Sequence, residues 1–231
     1  METTNRNKPN GCSVALIIGI LVPVLFYMTF RYLDTNRQTL DTETCLPIFG
    51  NKSLSASGDT VYHVLPEFSF INQEGDTITD AIMENKVVVA DFFFTTCPSI
   101  CIDMTKNLRT IQNYFLNDKD VLILSYTVDP ETDSVEQLKK YAVEHDVNAR
   151  MWHLLTGDKK ELYNLARNGY LVTAVQGDGG SKDFIHSEKL VLLDKERRIR
   201  GFYDGTKTKE INKLKKDIKT LLVSYIVPQK E

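Results

Sequence analysis

The chain has 231 residues, a formal net charge of −3 and a sequence pI near 5.9. That length suits one ordinary domain with appendages, and a hydrophobic content of 42% is enough to form a buried core. The sequence has no concentrated basic stripe, which excludes a nucleic-acid-binding protein, and its four cysteines are too few and too scattered for a small disulfide scaffold.

A long apolar segment lies near the N-terminus. Residues 13–30, SVALIIGILVPVLFYMTF, contain no charged side chain, and as a helix they would span about 27 Å, close to the thickness of a bilayer core. We therefore predict a transmembrane anchor at 13–31 after a tail at 1–12. A cleaved signal peptide is the alternative, but no small-residue cleavage motif comes after the segment. A lipoprotein is disfavoured because Cys12 precedes the apolar run.

The residues on either side of this segment predict its orientation in the membrane. The tail carries Glu2 as its only acid and is short enough to remain in the cytoplasm. It does not resemble an Arg-rich mitochondrial transit peptide, which favours a single-pass protein of a bacterial inner membrane with its C-terminal part in the periplasm. Residues 32–60 are polar and aperiodic, so we predict a tether there, with no special role for Cys45. The folded domain is assigned to 61–227.

Hydrophobic periodicity predicts the elements of this domain. The run KVVVADFFF (86–94) is typical of a strand covered on both faces, and the spacing of Met104, Leu108, Ile111 and Phe115 predicts a helix. Strand–helix–strand units imply parallel pairing and a late hairpin implies antiparallel edges, so we predict an α/β fold, a thioredoxin-like sandwich with a central mixed sheet. The predicted order is a hairpin (68–79), a strand (86–94), a helix after TTCP, a strand (120–128), a helix (134–145), a short strand (151–155), a helix (158–168), a hairpin (189–194 and 198–205) and a helix (about 207–225).

Two cysteines come after the first buried strand in the sequence TTCPSIC (95–101). Pro98 suits the first position of a helix, which would make Cys97 the cap residue and put Cys101 one turn further on. Their β-carbons would then be about 5–6 Å apart, near a helix N-terminus that favours thiolates. This geometry suits a redox-active disulfide as well as a soft metal ion, and the spacing alone does not decide between them.

A metal site needs a third ligand, for which the chain offers four histidines. His63, His145 and His153 each have a structural explanation, the second as a cation at a helix C-terminus. His186 differs, because it comes after the loop GDGGSKD and precedes a strand. In a thioredoxin-like sheet this loop faces the end at which the cysteine-bearing helix begins. Two thiolates and an imidazole would suit copper, or zinc with an open position.

These motifs resemble the Sco (SenC/PrrC) family of membrane-tethered, thioredoxin-like copper proteins. The resemblance covers about residues 61–225 and the anchor, and it rests on TTCPSIC, YTVDPETDS and DFIHSEKLVLLD in that order. It implies that Cys97, Cys101 and His186 bind copper, as Cu(I) or Cu(II). Asp129-Pro130 would shape the loop after the second buried strand. The family usually has proline after the second cysteine, and this chain has Ile102 instead, which removes a conformational constraint but no ligand.

Asp91 lies six residues before Cys97 inside an otherwise apolar strand. Thioredoxins have a buried aspartate at the same offset, where it aids proton transfer from the cysteine pair. A buried carboxylate is costly unless it is hydrogen-bonded or neutral, so Asp91 is a candidate proton relay. The alternative is an aspartate at the edge of the sheet, bonded to backbone.

The resemblance implies a copper chaperone that serves the binuclear copper centre of a haem–copper oxidase. A Cys97–Cys101 disulfide could not provide thiolates, so the redox state would control metal loading, and in an oxidising periplasm a separate thiol reductant would be required. The main alternative is a thiol–disulfide oxidoreductase that reduces a partner's cysteines, so whether the protein is an enzyme stays open. A copper or redox sensor is a third class, and a peroxidase is disfavoured.

Overall fold

The computed structural model describes residues 24–29, 46–55, 57–98, 100–172 and 187–226. The chain divides into two compact units, Met1–Cys45 and Leu46–Glu231. In the first unit the described residues form a helix, α1 (24–29), which belongs to the predicted anchor. None of the helices formed by the described residues has the length and apolar character needed to cross a membrane. The predicted tail, the rest of the anchor, most of the predicted tether, the loop at 177–183 and His186 lie outside the described residues.

The second unit alternates strands and helices in the predicted order. A 3₁₀ helix (Asp80–Met83) comes after β4, and a π-helical turn (Leu165–Gly169) extends α4. The strands are β1 (Lys52–Leu54), β2 (Thr60–Tyr62), β3 (Ser69–Asn72), β4 (Thr77–Thr79), β5 (Val87–Phe93), β6 (Val121–Thr127), β7 (Trp152–Thr156), β8 (Lys189–Leu193) and β9 (Ile199–Asp204). The helices are α2 (Ile100–Tyr114), α3 (Val135–Glu144), α4 (Lys159–Asn164) and α5 (Thr208–Ser224).

Seven strands form one mixed sheet in the order β4-β3-β7-β6-β5-β8-β9. The central strands β7, β6 and β5 are parallel, as expected for strands joined through helices. β8 pairs antiparallel with β5, and β3, β4 and β9 complete antiparallel edges. Because β5, β6 and β7 are parallel, the loops at their carboxyl ends emerge at one end of the sheet, and the cysteine loop is one of these.

The sheet is covered on both faces, which explains the nearly continuous apolar runs of its central strands. Every residue of β5 and β6 is buried. Val87, Val89 and Phe93 pack into a core with α2, α3 and α5. The alternate residues of the strand pack on the other face, with the 3₁₀ helix, α4 and the π-helical turn. Strand alternation therefore decides which side chains meet the cysteine-bearing helix.

The folded unit begins earlier than the polar composition of 32–60 suggested. β1 and β2 form a separate antiparallel hairpin, so the range that we assigned to a tether overlaps this unit from Leu46 onward. The hairpin residues are mostly exposed and each strand has three residues, which is why they show no apolar periodicity. Arg200 anchors the start of the unit, because its guanidinium donates to the carbonyls of Leu46 and Pro47.

Candidate dithiol and metal site

The two cysteines of TTCPSIC lie side by side between β5 and α2. Both are buried thiols, and the backbone N–H of Cys101 donates to Sγ of Cys97 at 3.4 Å. Within the described residues the helix starts at Ile100, whereas we predicted its first residue at Pro98. Before Pro98 the chain makes a turn, in which Cys97 N donates to the carbonyl of Phe94. The predicted proximity of the two sulfur-bearing residues is therefore retained with a different local backbone.

Burial, and not the helix N-terminus, dominates the acidity of the second thiol. The pKa of Cys101 is raised from 9.0 to about 12, first by desolvation and then by its hydrogen bond with Cys97. The negative charge of Asp91 adds to the same direction, while a backbone hydrogen bond from Phe94 opposes it. We expected a stabilised thiolate at Cys101, and that expectation was wrong because the side chain packs among core residues of α2.

Asp91 lies beneath the cysteine-bearing helix in the middle of the sheet. Its strand, β5, is paired on both sides, so the alternative of an edge aspartate was wrong. The carboxylate accepts a hydrogen bond from the Ser125 hydroxyl. The oxygen of that hydroxyl, in turn, accepts a hydrogen bond from Nε1 of Trp152 at 2.8 Å. Desolvation raises the pKa of Asp91 to about 7, against a smaller lowering by Ser125. Asp91 can therefore exchange a proton near neutral pH.

Aromatic side chains close the space around the dithiol. The ring of Tyr141, on α3, packs against Phe93 with a centroid separation of 5.4 Å. Its hydroxyl is 2.7 Å from Oγ1 of Thr105, one turn after Cys101 on α2. Burial raises the pKa of Tyr141, and the negative charges of Asp91 and Cys101 add to that rise. Phe93 and Tyr141 therefore belong to the same buried cluster as the two cysteines.

The loop before the first cysteine is fixed by a residue that sequence reasoning missed. The fully buried carboxylate of Asp133 accepts from the backbone N–H of Thr95 at 3.2 and 3.3 Å, and from the hydroxyls of Thr95 and Thr127. Asp133 belongs to the segment VDPETDS, in which its own N–H donates to the carbonyl of Asp129 at 2.9 Å. The Asp-Pro motif therefore shapes a loop that reaches the cysteine loop, as its position after β6 allows.

Comparison with known proteins identifies the family. The SCO1/SenC family model matches residues 57–223. The chain belongs to the SCO1/SenC family. A relative described as "SCO1 protein homolog" from Bacillus subtilis (strain 168) is 30% identical over 161 residues, which cover 69% of this chain and 82% of the relative.

Solved structures of SCO1/SenC proteins share the fold. BsSco, described as having a disulfide switch and as a member of the Sco family of cytochrome c oxidase assembly proteins, is 28% identical with a TM-score of 0.59, covering 69% of this chain and 93% of that one. A crystal structure of Arabidopsis thaliana ScoI with copper bound is 27% identical with a TM-score of 0.55, covering 69% of this chain and 99% of that one. The predicted family and the predicted thioredoxin-like α/β fold with a mixed sheet are confirmed.

The third ligand expected in a SCO1/SenC protein, His186, lies outside the described residues. The next residue, Ser187, leads into β8, whose register pairs Val88 with Leu193 and Ala90 with Val191. Strand β8 therefore starts at the end of the sheet where β5 leads into the cysteine loop. No group of three His, Cys, Asp or Glu side chains suited to a metal ion occurs within the described ranges.

The other three histidines make contacts that explain them without a metal. Nε2 of His63 is 2.7 Å from the carbonyl of Gly169. Nδ1 of His153 accepts from the side-chain amide of Asn72 at 3.3 Å. His145 caps the C-terminus of α3, where we predicted a cation, but burial lowers its pKa and favours the neutral imidazole.

Proposed function

We propose that this protein is a copper chaperone that delivers copper to the binuclear copper centre of a haem–copper (cytochrome c) oxidase. The observation that supports it most strongly is the contact between the two cysteines, in which Cys101 N donates to Sγ of Cys97 at 3.4 Å. Two thiols on one turn can bind a single soft cation. The crystallised copper complex of Arabidopsis thaliana ScoI and the description of BsSco as an oxidase assembly protein support the same assignment.

In this proposal Cys97, Cys101 and His186 are the copper ligands. Cu(I) prefers thiolates, and imidazole binds either oxidation state of copper, so the set suits Cu(I) and Cu(II). Copper entry displaces the proton of Cys101, which burial otherwise retains. Asp91 is the proposed proton relay, because its raised pKa of about 7 lets it accept that proton at neutral pH.

The redox state of the dithiol would control loading. Oxidation joins the two sulfurs, releases two protons and passes two electrons to an oxidant, and the disulfide has no thiolate to offer copper. Reversal needs two electrons from a partner, which we assign to a thiol reductant. The disulfide switch described for BsSco supports this cycle.

The titration that tests the ligand set is anaerobic addition of Cu(I) to the reduced full-length protein in detergent. We expect about one Cu(I) per chain, with the affinity lost in Cys97→Ser and Cys101→Ser and strongly lowered in His186→Ala. Cys45→Ser and His63→Ala are matched controls and should bind as the parent does. Parental binding by His186→Ala would remove the imidazole from the set.

A second candidate is a membrane-tethered thiol–disulfide oxidoreductase that reduces partner cysteines. The buried carboxylate of Asp91 beneath the dithiol favours it, since a nearby acid–base group assists thiol exchange. The variant His186→Ala distinguishes the two functions, because it should retain disulfide exchange and lose copper binding. Normal oxidase assembly in cells that produce only this variant would favour the oxidoreductase.

We also propose the membrane arrangement predicted from the sequence. Residues 13–31 form a single inner-membrane span, with the tail at 1–12 in the cytoplasm and the folded unit, which begins at Leu46, in the periplasm. The uncharged apolar run at 13–30 supports this arrangement. Protease added to intact spheroplasts should digest the domain, and protection of the domain would reverse the topology.

A further inference from the structure

We propose that Asp133 is the positioning residue of the dithiol. It holds the loop before Cys97, so that the Cys97 sulfur stays within reach of Cys101. This inference rests on the proposed function in assigning the chemistry to the two thiols. The contacts of the Asp133 carboxylate are with Thr95 and Thr127 and not with the reacting sulfurs. Asp133 acts through Thr95, two residues before Cys97.

Asp133 links the cysteine loop to a segment 38 residues further along the chain, between the end of β6 and the start of α3. It contacts the cysteine loop through the backbone N–H and hydroxyl of Thr95. It contacts the end of β6 through the hydroxyl of Thr127. Asp133 also directly precedes Ser134, the N-cap of α3, whose Oγ accepts from Gln137 N. The carboxylate thus joins the loop after β5 to the end of the neighbouring parallel strand β6, at the point where the chain enters α3.

The hydrogen bonds also fix the direction in which the Thr95 hydroxyl points. Its hydrogen is donated to Asp133, and its oxygen accepts from Nε2 of Gln137 at 3.2 Å. The hydroxyl of Thr127 is similarly occupied, because it accepts from Asp129 N at 2.9 Å while it donates to Asp133. All these donors point at one acceptor, so an uncharged side chain with a single acceptor oxygen satisfies fewer of them.

The location of the carboxylate favours positioning over general stabilisation. It is completely buried, so removing it leaves Thr95 N–H and the two hydroxyls without their acceptor. The turn bond from Cys97 N to the carbonyl of Phe94, at 3.3 Å, does not involve Asp133 and would remain. The sulfur of Cys97 would spend less time beside Cys101, which lowers the effective concentration of one thiol at the other.

The experiment compares Asp133→Ala and Asp133→Asn with the wild-type full-length protein in detergent. Disulfide formation is measured against glutathione, in which the dithiol and one glutathione disulfide become the protein disulfide and two glutathione thiols. We expect the equilibrium constant to fall about five- to tenfold in Asp133→Ala, the size expected for loss of one net hydrogen bond at the loop, and less in Asp133→Asn. Cu(I) affinity should fall in the same order.

Two matched comparisons separate positioning from folding. Thr95→Val removes the hydroxyl and should shift both equilibria in the direction of Asp133→Ala, whereas Thr95→Ser retains the hydroxyl and should restore them. Asp217→Ala removes another buried carboxylate, on α5, which accepts a hydrogen bond from the Tyr203 hydroxyl at 2.7 Å. It should lower the free energy of unfolding while leaving both equilibria unchanged.

Each outcome decides the inference. If Asp133→Ala folds and matches the wild type in both equilibria, Asp133 does not position the dithiol. If Asp133→Ala does not fold, the comparison of Thr95→Val with Thr95→Ser decides. Equal glutathione equilibria and equal Cu(I) affinities in these two variants would overturn the proposal. If the wild type binds no copper, the proposed function fails, while the glutathione equilibrium still tests Asp133.

Discussion

Replacing Asp91 by asparagine should change how the stability of the protein depends on pH. Desolvation raises the Asp91 pKa from 3.8 to about 7, and one pKa unit equals about 1.4 kcal/mol, so ionising this carboxyl costs the folded state about 4 kcal/mol. Because the folded pKa is the higher one, the stabilisation by protonated Asp91 is complete below about pH 4. It disappears as the pH rises to about 7. Asp91→Asn has no proton to lose there.

Urea unfolding of the reduced protein at several pH values measures this directly. Trp152 is the single tryptophan of the chain, is buried, and bonds to Ser125 beside Asp91, so its fluorescence reports on this part of the fold. The difference in free energy of unfolding between Asp91→Asn and the wild type should therefore change by about 4 kcal/mol in favour of the variant as the pH rises from about 4 to about 8. A difference between the two proteins that stays constant over that range would refute a raised Asp91 pKa.

Ser125→Ala provides a directional control for the same measurement. The Ser125 hydroxyl lowers the Asp91 pKa, so its removal should raise that pKa further and extend the pH-dependent loss of stability above about pH 7. If the loss of stability in Ser125→Ala instead occurred at lower pH than in the wild type, the Ser125 hydrogen bond would not be what lowers the Asp91 pKa. Far-UV circular dichroism is the readout here, because Ser125 also contacts the tryptophan.

Folded, reduced protein should be alkylated at Cys101 far more slowly than urea-unfolded protein at about pH 8, because the thiolate is the reactive form and burial raises the pKa of Cys101 to about 12. Equal rates by mass spectrometry would contradict this. Arg200→Ala should lower the free energy of unfolding by about 2 kcal/mol, since it removes a charged hydrogen bond to the buried Asp194 and two to backbone carbonyls. A change below about 0.5 kcal/mol in urea unfolding would show that the anchoring is not needed. Cu(I) affinity should rise about tenfold per pH unit near neutrality, because binding displaces at least the Cys101 proton. A flat affinity profile in competition titrations would mean that the thiolate exists before copper arrives.

Elements with strong periodicity could be predicted from the sequence because a single physical cause fixed each of them. The apolar run that became β5 is covered by helices on both faces, and an apolar run of this length is typical of a strand that is buried on both sides. The stripe of Met104, Leu108 and Ile111 became the buried face of α2. The helix predicted at 158–168 became α4 and the π-helical turn, with Asp158 as the N-cap that accepts from Glu161 N at 3.0 Å.

Features that depend on meetings between distant segments could not be predicted in this way. Asp133 lies in an ordinary polar stretch, and nothing in its neighbours in sequence shows that its carboxylate reaches Thr95, 38 residues earlier. The acidity of Cys101 was mispredicted for a related reason. The helix N-terminus is visible in the sequence, whereas the burial that overrides it comes from three packed helices and the sheet. Asp91 could be noticed, but its partner Ser125 belongs to the neighbouring strand.

The raised pKa values of Asp91 and Cys101 describe one property of the proposed copper site. Each group resists a negative charge because it is desolvated, and the charge of Asp91 further raises the pKa of Cys101, so the two are close enough to affect each other. An incoming Cu(I) reverses that preference, because its positive charge compensates the thiolate that burial disfavours. A proton leaving Cys101 then finds in Asp91 an acceptor with a pKa near neutrality. Thiol exchange with a reductant would require the same transfer, so one buried carboxylate serves either function proposed for the dithiol.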